Sequence, residues 1–259
     1  MDFEILEKLN AFSHVQFEEK RHIYTIGDKQ LTSVTTLLKQ YYPDKDWQEI
    51  AEKYAAKNGE TAEHWQRAWK QEGTIGREKG SEFHLYAELS LANKVYDFDM
   101  EKMVRITEES DLVTHFEPYK AMKKLKMMWD VFWLQATGVL VPIRSEFVMG
   151  DEELGLGGMI DQLFWNTKMQ EIQIWDWKTN KKIAKSNKFQ KLKPPLQHLD
   201  ECEHVVYSLQ IGVYKYIIEK NLGIVIGTCY IGHFHELNDT YKIIKALDMS
   251  KEVKSILEA

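Results

Sequence analysis

The sequence predicts an α/β protein of the α+β kind, a mixed central β-sheet flanked by helices, and three features of its patterning carry that expectation. Helical spacing dominates the first half, residues 139–177 switch to strand period, and a long helix followed by one more strand closes the chain. Around His22-Ile23-Tyr24-Thr25-Ile26 the residues alternate and Gly27-Asp28 interrupt them, which marks a short hairpin. Thr32-Ser33 then offer an N-cap to a helix over Val34-Thr35-Thr36-Leu37-Leu38 that Pro43 ends. Residues 46–72 and 74–92 read as two helices divided at Gly73, and 117–136 as another, carrying Lys120, Lys123, Lys124 and Lys126. Segments 139–148, 158–165 and 171–177 are rich in Ile, Val, Phe and Trp with turn residues between them, as strands are. A helix over about 203–220 and a strand near 225–230 complete the order, with no repeat or low-complexity tract.

At 259 residues the chain is long enough for one large domain, and 1–259 is taken as a single unit. Hydrophobic residues at 44% and charged residues at 29% are ordinary for a globular protein, and no apolar run reaches the roughly 18 residues of a membrane span. The acidic start Met1-Asp2-Phe3-Glu4 and the presence of only Cys202 and Cys229 point away from secretion and toward a reducing cytoplasm.

A formal charge of −6 argues against a nucleic-acid partner, yet the average hides an asymmetry. From Asp97 to Asp111 six acids face two bases, whereas from Trp177 to Leu199 there are seven lysines and no acid. Taken alone, that basic stretch reads as a solvated loop.

The most informative segment is Gly158-Met159-Ile160-Asp161-Gln162-Leu163-Phe164-Trp165, a polar turn, then Glu171-Ile172-Gln173-Ile174-Trp175-Asp176-Trp177-Lys178-Thr179. As a hairpin turning between Lys168 and Met169 it sets Leu163 opposite Ile174 and Asp161 opposite Asp176. Two carboxylates facing each other among apolar neighbours are costly unless a cation or a proton lies between them. Period-two alternation puts Lys178 on the face of Asp176, and Trp175 and Trp177 on the other face, in the core. Two Asp, a main-chain carbonyl and a substrate phosphate suit a hard divalent ion, with Lys178 orienting water or neutralising charge. The competing reading is a plain sheet salt bridge between Asp176 and Lys178.

Ile160-Asp161 followed by Asp176-Trp177-Lys178 resembles the PD-(D/E)XK nuclease superfamily, with Ile160 in place of the Pro of the name. Gly80-Ser81-Glu82-Phe83-His84 is similar to a helical Gly-x-x-x-His motif, and Gln210-Ile211-Gly212-Val213-Tyr214 to a Gln-x-x-x-Tyr motif, of the RecB-like, phage-exonuclease and mitochondrial genome-maintenance-exonuclease branch. The opening Ser33-Val34-Thr35-Thr36-Leu37-Leu38 is similar as well, and the order of motifs is that of the branch. The resemblance implies a restriction-endonuclease-like core and a Mg²⁺- or Mn²⁺-dependent DNA exonuclease, with one or two ions, of the kind used in recombination and repair. It implies metal ligands His84, Asp161, Asp176 and the carbonyl of Trp177, with Lys178 assisting catalysis. Gln210 and Tyr214 would contact DNA or brace the active-site lysine.

Beside the resemblance, Gly80 would let its helix approach the sheet. Glu88, one turn after His84, would orient the imidazole, although a lone histidine is more often a core residue. Thr179, Lys181 and Lys182 become substrate contacts, the lysines of 120–126 a second wall, and Glu146 a more distant supporting acid. Residues 93–137 would form a helical insert or wall selecting single strands or ends. Gly155, Gly157 and Gly158 lack the Lys-Ser/Thr of a phosphate-binding loop, and His198, Cys202 and His204 match no standard zinc spacing. His233 and His235 are expected on an exposed strand, and two cysteines cannot hold the four-cysteine iron–sulfur cluster of some relatives. Alternatives from other classes are a catalytically silent nucleic-acid- or partner-binding module and a structure-specific endonuclease.

Overall fold

The structure, a computed structural model, describes residues 3–109 and 116–258. Met1 and Asp2 of the acidic start, Asp111 of the acidic stretch and residues 110–115 of the expected insert lie outside the described residues.

Strands β1 (Val15–Glu18), β2 (Ile23–Ile26) and β3 (Lys29–Ser33) form the N-terminal meander. β4 (Leu140–Asp151), β5 (Leu156–Asn166) and β6 (Glu171–Lys178) form the central one, and β7 (Tyr230–His233) and β8 (Lys242–Lys245) complete the sheet. The hydrogen-bonded path runs β1-β2-β3-β5-β6-β7-β8, with β4 paired antiparallel to β5. The β3–β5 and β6–β7 pairs are parallel, so the sheet is mixed as the pattern predicts. The helices are α1 (Phe3–Leu9), α2 (Val34–Lys39), α3 (Trp47–Asn58), α4 (Ala62–Leu91), α5 (Met100–Glu108), α6 (Pro118–Ala136), α7 (Glu203–Leu222) and α8 (Ser250–Leu257).

Alternation along the strands divides the core. Leu163, Ile172, Ile174 and Ile231 belong to an aliphatic cluster with Val205, Leu209, Ile217 and Ile218 of α7. Phe164, Trp175, Trp177 and Phe234 belong to an aromatic cluster with Phe83 of α4 and Trp129 and Phe132 of α6, where Trp129 and Trp177 meet edge-to-face at 5.2 Å. Trp175 and Trp177 are therefore core, as alternation requires.

Ser33 caps α2, its hydroxyl accepting from the Thr36 N–H at 3.1 Å. The helical break, however, falls at Gly59 and not at Gly73. Gly59 and Glu60 take φ of +78° and +67°, Thr61 caps the next helix through the His64 N–H, and α4 then runs 30 residues straight through Gly73. A left-handed pair followed by a capping hydroxyl ends and restarts a helix decisively, whereas one interior glycine only weakens it. The last strand also differs: 225–229 contributes one isolated bridge, Ile172 to Ile226, and the strands are β7, which starts at Tyr230, and β8. With β7 enclosed between β6 and β8, His233 is buried at 2% exposure, and His235, two residues past the strand's end, is buried at 5%, so neither is on an exposed strand.

Candidate active site

The site begins where two strands part. Asn166 organises the β5–β6 turn, its carboxamide oxygen accepting from the Lys168 and Met169 N–H groups at 3.0 and 2.9 Å, and the register sets Leu163 opposite Ile174. The ladder ends at Gln162 and Trp175, one step short of the aspartates. β3 takes β5 only at Leu156 and Gly157, so the edge of β5 from 158 to 161 pairs with neither neighbour. There the Asp161 carboxylate replaces the missing ladder acceptor, with Oδ2 receiving the Trp177 N–H at 2.6 Å.

On the other side of β5, Ser145 pairs with Gln162 and Phe147 with Ile160, so the intervening Glu146 stands across from Asp161. Its φ of +43° is a left-handed conformation that a glutamate rarely adopts, and strain of that kind collects at functional sites. Glu146, Asp161 and Asp176 thus occupy three neighbouring strands.

α4 delivers the histidine. A Cβ on Gly80 would lie 3.4 Å from Thr179 Oγ1, so the helix backbone rests on the end of β6 one turn before His84, and Thr179 is buried there. His84 Nε2 donates to the Trp177 carbonyl at 3.0 Å, while Nδ1 lies 3.6 Å from Asp161 Oδ1 and 3.8 Å from Glu146 Oε1. Burial works to lower the imidazole pKa, but Asp161 and Glu146 outweigh it and push it up to about 9. Both ring nitrogens then carry protons.

Lys178 Nζ lies 2.5 Å from Asp176 Oδ2 and 4.8 Å from the centroid of the Tyr207 ring. Burial works against its charge too, yet Asp176 and Asp161 hold its pKa up at about 12. Burial raises the Asp176 carboxyl to about 6 against the pull of Lys178, with the charge of Asp161 adding to the rise. Burial likewise raises Asp161, partly countered by His84 and Lys178.

Ionised, these groups set three carboxylates against one imidazolium and one ammonium, leaving a negative charge uncompensated in a largely buried place. A divalent cation with a neutral His84 would bring the sum to zero. The ligand atoms of His84, Glu146 and Asp161 lie within 4.8 Å of one another, and oxygen donors with one imidazole suit a hard divalent ion. Asp176 Oδ2 is buried with the Lys178 ammonium as its one close partner, leaving lone pairs to offer.

The other expected residues divide. Glu88 is not among the partners of the His84 ring; Glu146 holds that place instead. Gln210 Nε2 donates to the Tyr214 hydroxyl at 2.8 Å, and the Tyr214 ring fills the space of a side chain at Gly158, where a Cβ would come within 2.6 Å. Lys181 and Lys182 are exposed beyond the end of β6. Lys120 pairs with Glu117, and Lys126 with the Tyr86 hydroxyl. His198 contacts Glu252 and His204 the Lys245 carbonyl, so their rings serve different elements.

Tyr207 and Tyr24 were not foreseen as neighbours of the site. The Tyr24 hydroxyl is pushed up to about 12 by burial and by Glu146 and Asp161. Tyr207 stands three residues before Gln210, and that helical spacing was the signal available for it.

Among solved structures, a Eubacterium rectale protein described as a candidate exonuclease is 14% identical, with 94% of this chain and 83% of that one covered and a TM-score of 0.47. A protein called SSO0001 is 12% identical over 99% of this chain and 82% of its own, with a TM-score of 0.29. No curated protein sequence matches the chain significantly. The family model of the PD-(D/E)XK nuclease superfamily matches residues 44–252, a span that holds His84, the three acids and Lys178, and the chain belongs to that superfamily.

Proposed function

We propose that this protein is a metal-dependent DNA nuclease that hydrolyses phosphodiester bonds, acting as an exonuclease on single strands or DNA ends. The observation that carries the reading is the convergence of Glu146, Asp161 and Asp176 on three adjacent strands with His84 and Lys178 beside them. The Gly-x-x-x-His and Gln-x-x-x-Tyr resemblances support the exonuclease assignment.

His84, Asp161, Asp176 and the Trp177 carbonyl would hold Mg²⁺ or Mn²⁺, with Glu146 at hand as a further carboxylate. The bound ion would supply polarisation of the phosphoryl oxygen and a lowered pKa for the attacking water. As a ligand His84 would offer a deprotonated Nδ1, with its Nε2–H bond to Trp177 fixing the ring. Lys178, held protonated by its acids, serves as a hydrogen-bond donor and positive charge beside the reacting phosphate and not as a base. The Trp177 N–H holds Asp161 in one orientation. Thr179 seats α4 against β6, and Lys181 and Lys182 meet the strand beyond the scissile bond. Gln210 keeps a second amide N–H for a phosphate, while Tyr214 braces α7 against Gly158.

The test is incubation with end-labelled single-stranded, duplex and covalently closed circular DNA, with and without chelator. Shortening of linear DNA that chelator abolishes is expected. Circles cut as fast as linear molecules would make the protein an endonuclease, and hydrolysis undiminished by chelator would overturn the metal role.

A further inference from the structure

Seven lysines follow one another from Lys178 to Lys193, and the structure sorts them into two kinds. Lys178, Lys191 and Lys193 each pair with an acid, respectively Asp176, Asp200 and Asp44, and so fasten the segment to the fold. Lys181, Lys182, Lys185 and Lys188 are exposed and have no carboxylate partner among the described residues. The first three line one cavity of about 420 Å³ with Lys242 of β8, His233 and the aliphatic wall Ile183, Ile243 and Ile244.

No acid lines that cavity, although acids outnumber bases 40 to 34 in the whole chain. Lys242 is held by Asn238 Oδ1 at 3.1 Å, a neutral partner that leaves its charge uncompensated. His233 Nε2 is occupied by the Asn180 carbonyl at 2.7 Å, so the positive field comes from the lysines. Four ammoniums gathered without a counter-charge repel one another, and an anion among them turns that repulsion into attraction. His233 stands opposite Lys178 in the parallel β6–β7 ladder, so one wall of the cavity belongs to the strand next to the one that carries the active-site lysine.

We infer that this cavity is a phosphate-binding pocket that grips an internal phosphodiester of the strand whose scissile bond lies at the active site. The inference rests on the nuclease reading and adds a second anchoring point to it. Lys181 and Lys182 follow the active-site lysine by three and four residues, while Lys185 and Lys242 lie outside the residues assigned to the active site.

The test separates pocket from chemistry by measuring binding in chelator. An internally labelled single-stranded oligonucleotide is titrated by fluorescence anisotropy over a salt series, with a 5′-phosphate, a 5′-hydroxyl or a 3′-phosphate end. The Lys185→Ala/Lys242→Ala protein should show a slope of log affinity against log salt shallower by about 1.4, at about 0.7 per lost phosphate contact, with all three ends alike. Lys57→Ala/Lys251→Ala, which removes the same charge elsewhere, should keep the parental slope. Unfolding curves of both variants matching the parent establish that the fold is intact, and Lys185→Ala alone should give about half the change. An unchanged slope in the pocket variant, an equal loss in the control, a loss confined to one end chemistry, or no binding by the parent protein would each overturn the inference. Adding Mg²⁺ to the same oligonucleotide reads the other claim: a slope change without hydrolysis leaves the pocket standing and removes the nuclease reading, and hydrolysis with an unchanged slope does the reverse.

Discussion

Asp151 and Asp176 are both buried carboxylates at strand ends of the same sheet, at 2% and 3% exposure, and their surroundings treat them oppositely. Asp151 receives the Leu154 N–H at 2.8 Å, the Lys220 ammonium at 2.7 Å and the Asn221 amide at 2.8 Å. Burial works to raise its pKa, and those partners overcome it, so the carboxyl sits below its ordinary range. Asp176 has one close partner, the Lys178 ammonium, and Asp161 as a like-charged neighbour, and burial raises it to about 6. A fold that satisfies one buried acid fully and leaves another short of partners has kept the second for something other than stability.

The largest effect should come from exchanging the charge at the second acid. Asp176→Asn should lower kcat by about 10³-fold or more while leaving stability in chelator equal to the parent or higher, since a like charge is removed. Single-turnover hydrolysis and urea unfolding read the two quantities, and a loss of stability on the scale of a broken buried ion pair would reduce Asp176 to a structural residue. Asp151→Asn should do the opposite. It removes a charged acceptor from Lys220, which keeps Glu153, and from Asn221 and the Leu154 N–H, should cost about 1.5 kcal/mol in urea unfolding, and should keep kcat where the protein is folded.

The smallest effect sharpens the comparison through pH. Asp151, lowered in the fold, contributes stability that is complete above about pH 4 and is lost as pH falls through its folded value. Asp176, raised, contributes stability that is complete below about pH 4 and is lost as pH rises through about 6. In chelator, the stability of the parent relative to Asp151→Asn should therefore fall toward acid, and relative to Asp176→Asn toward neutrality. Two difference curves bending the same way would erase the distinction.

The division between these acids was only half legible in the sequence. Asp161, Asp176 and Lys178 could be placed because a hairpin register follows from turn position and period two, which are local properties. Glu146 could not be given its place so close to the site, because that depends on the long-range β4–β5 ladder and on a left-handed φ that no residue type announces. The burial of His233 is hidden from the sequence for the same reason, since it comes from pairing of the four-residue β7 with the distant β6, and His235 is buried just past the strand's end. The break at Gly59 was hidden by Gly73, since a glycine shows where a helix can stop and only the backbone shows where it does.

Diffraction from crystals soaked in Mn²⁺ and collected at the manganese edge tests the central claim most directly. The account predicts an anomalous peak within bonding distance of carboxylate oxygens of Asp161 and Asp176 and of His84 Nδ1, with the Nε2–H bond to Trp177 kept. A soaked crystal with manganese bound elsewhere, and with His84 still bridging Asp161 and Glu146, would contradict it.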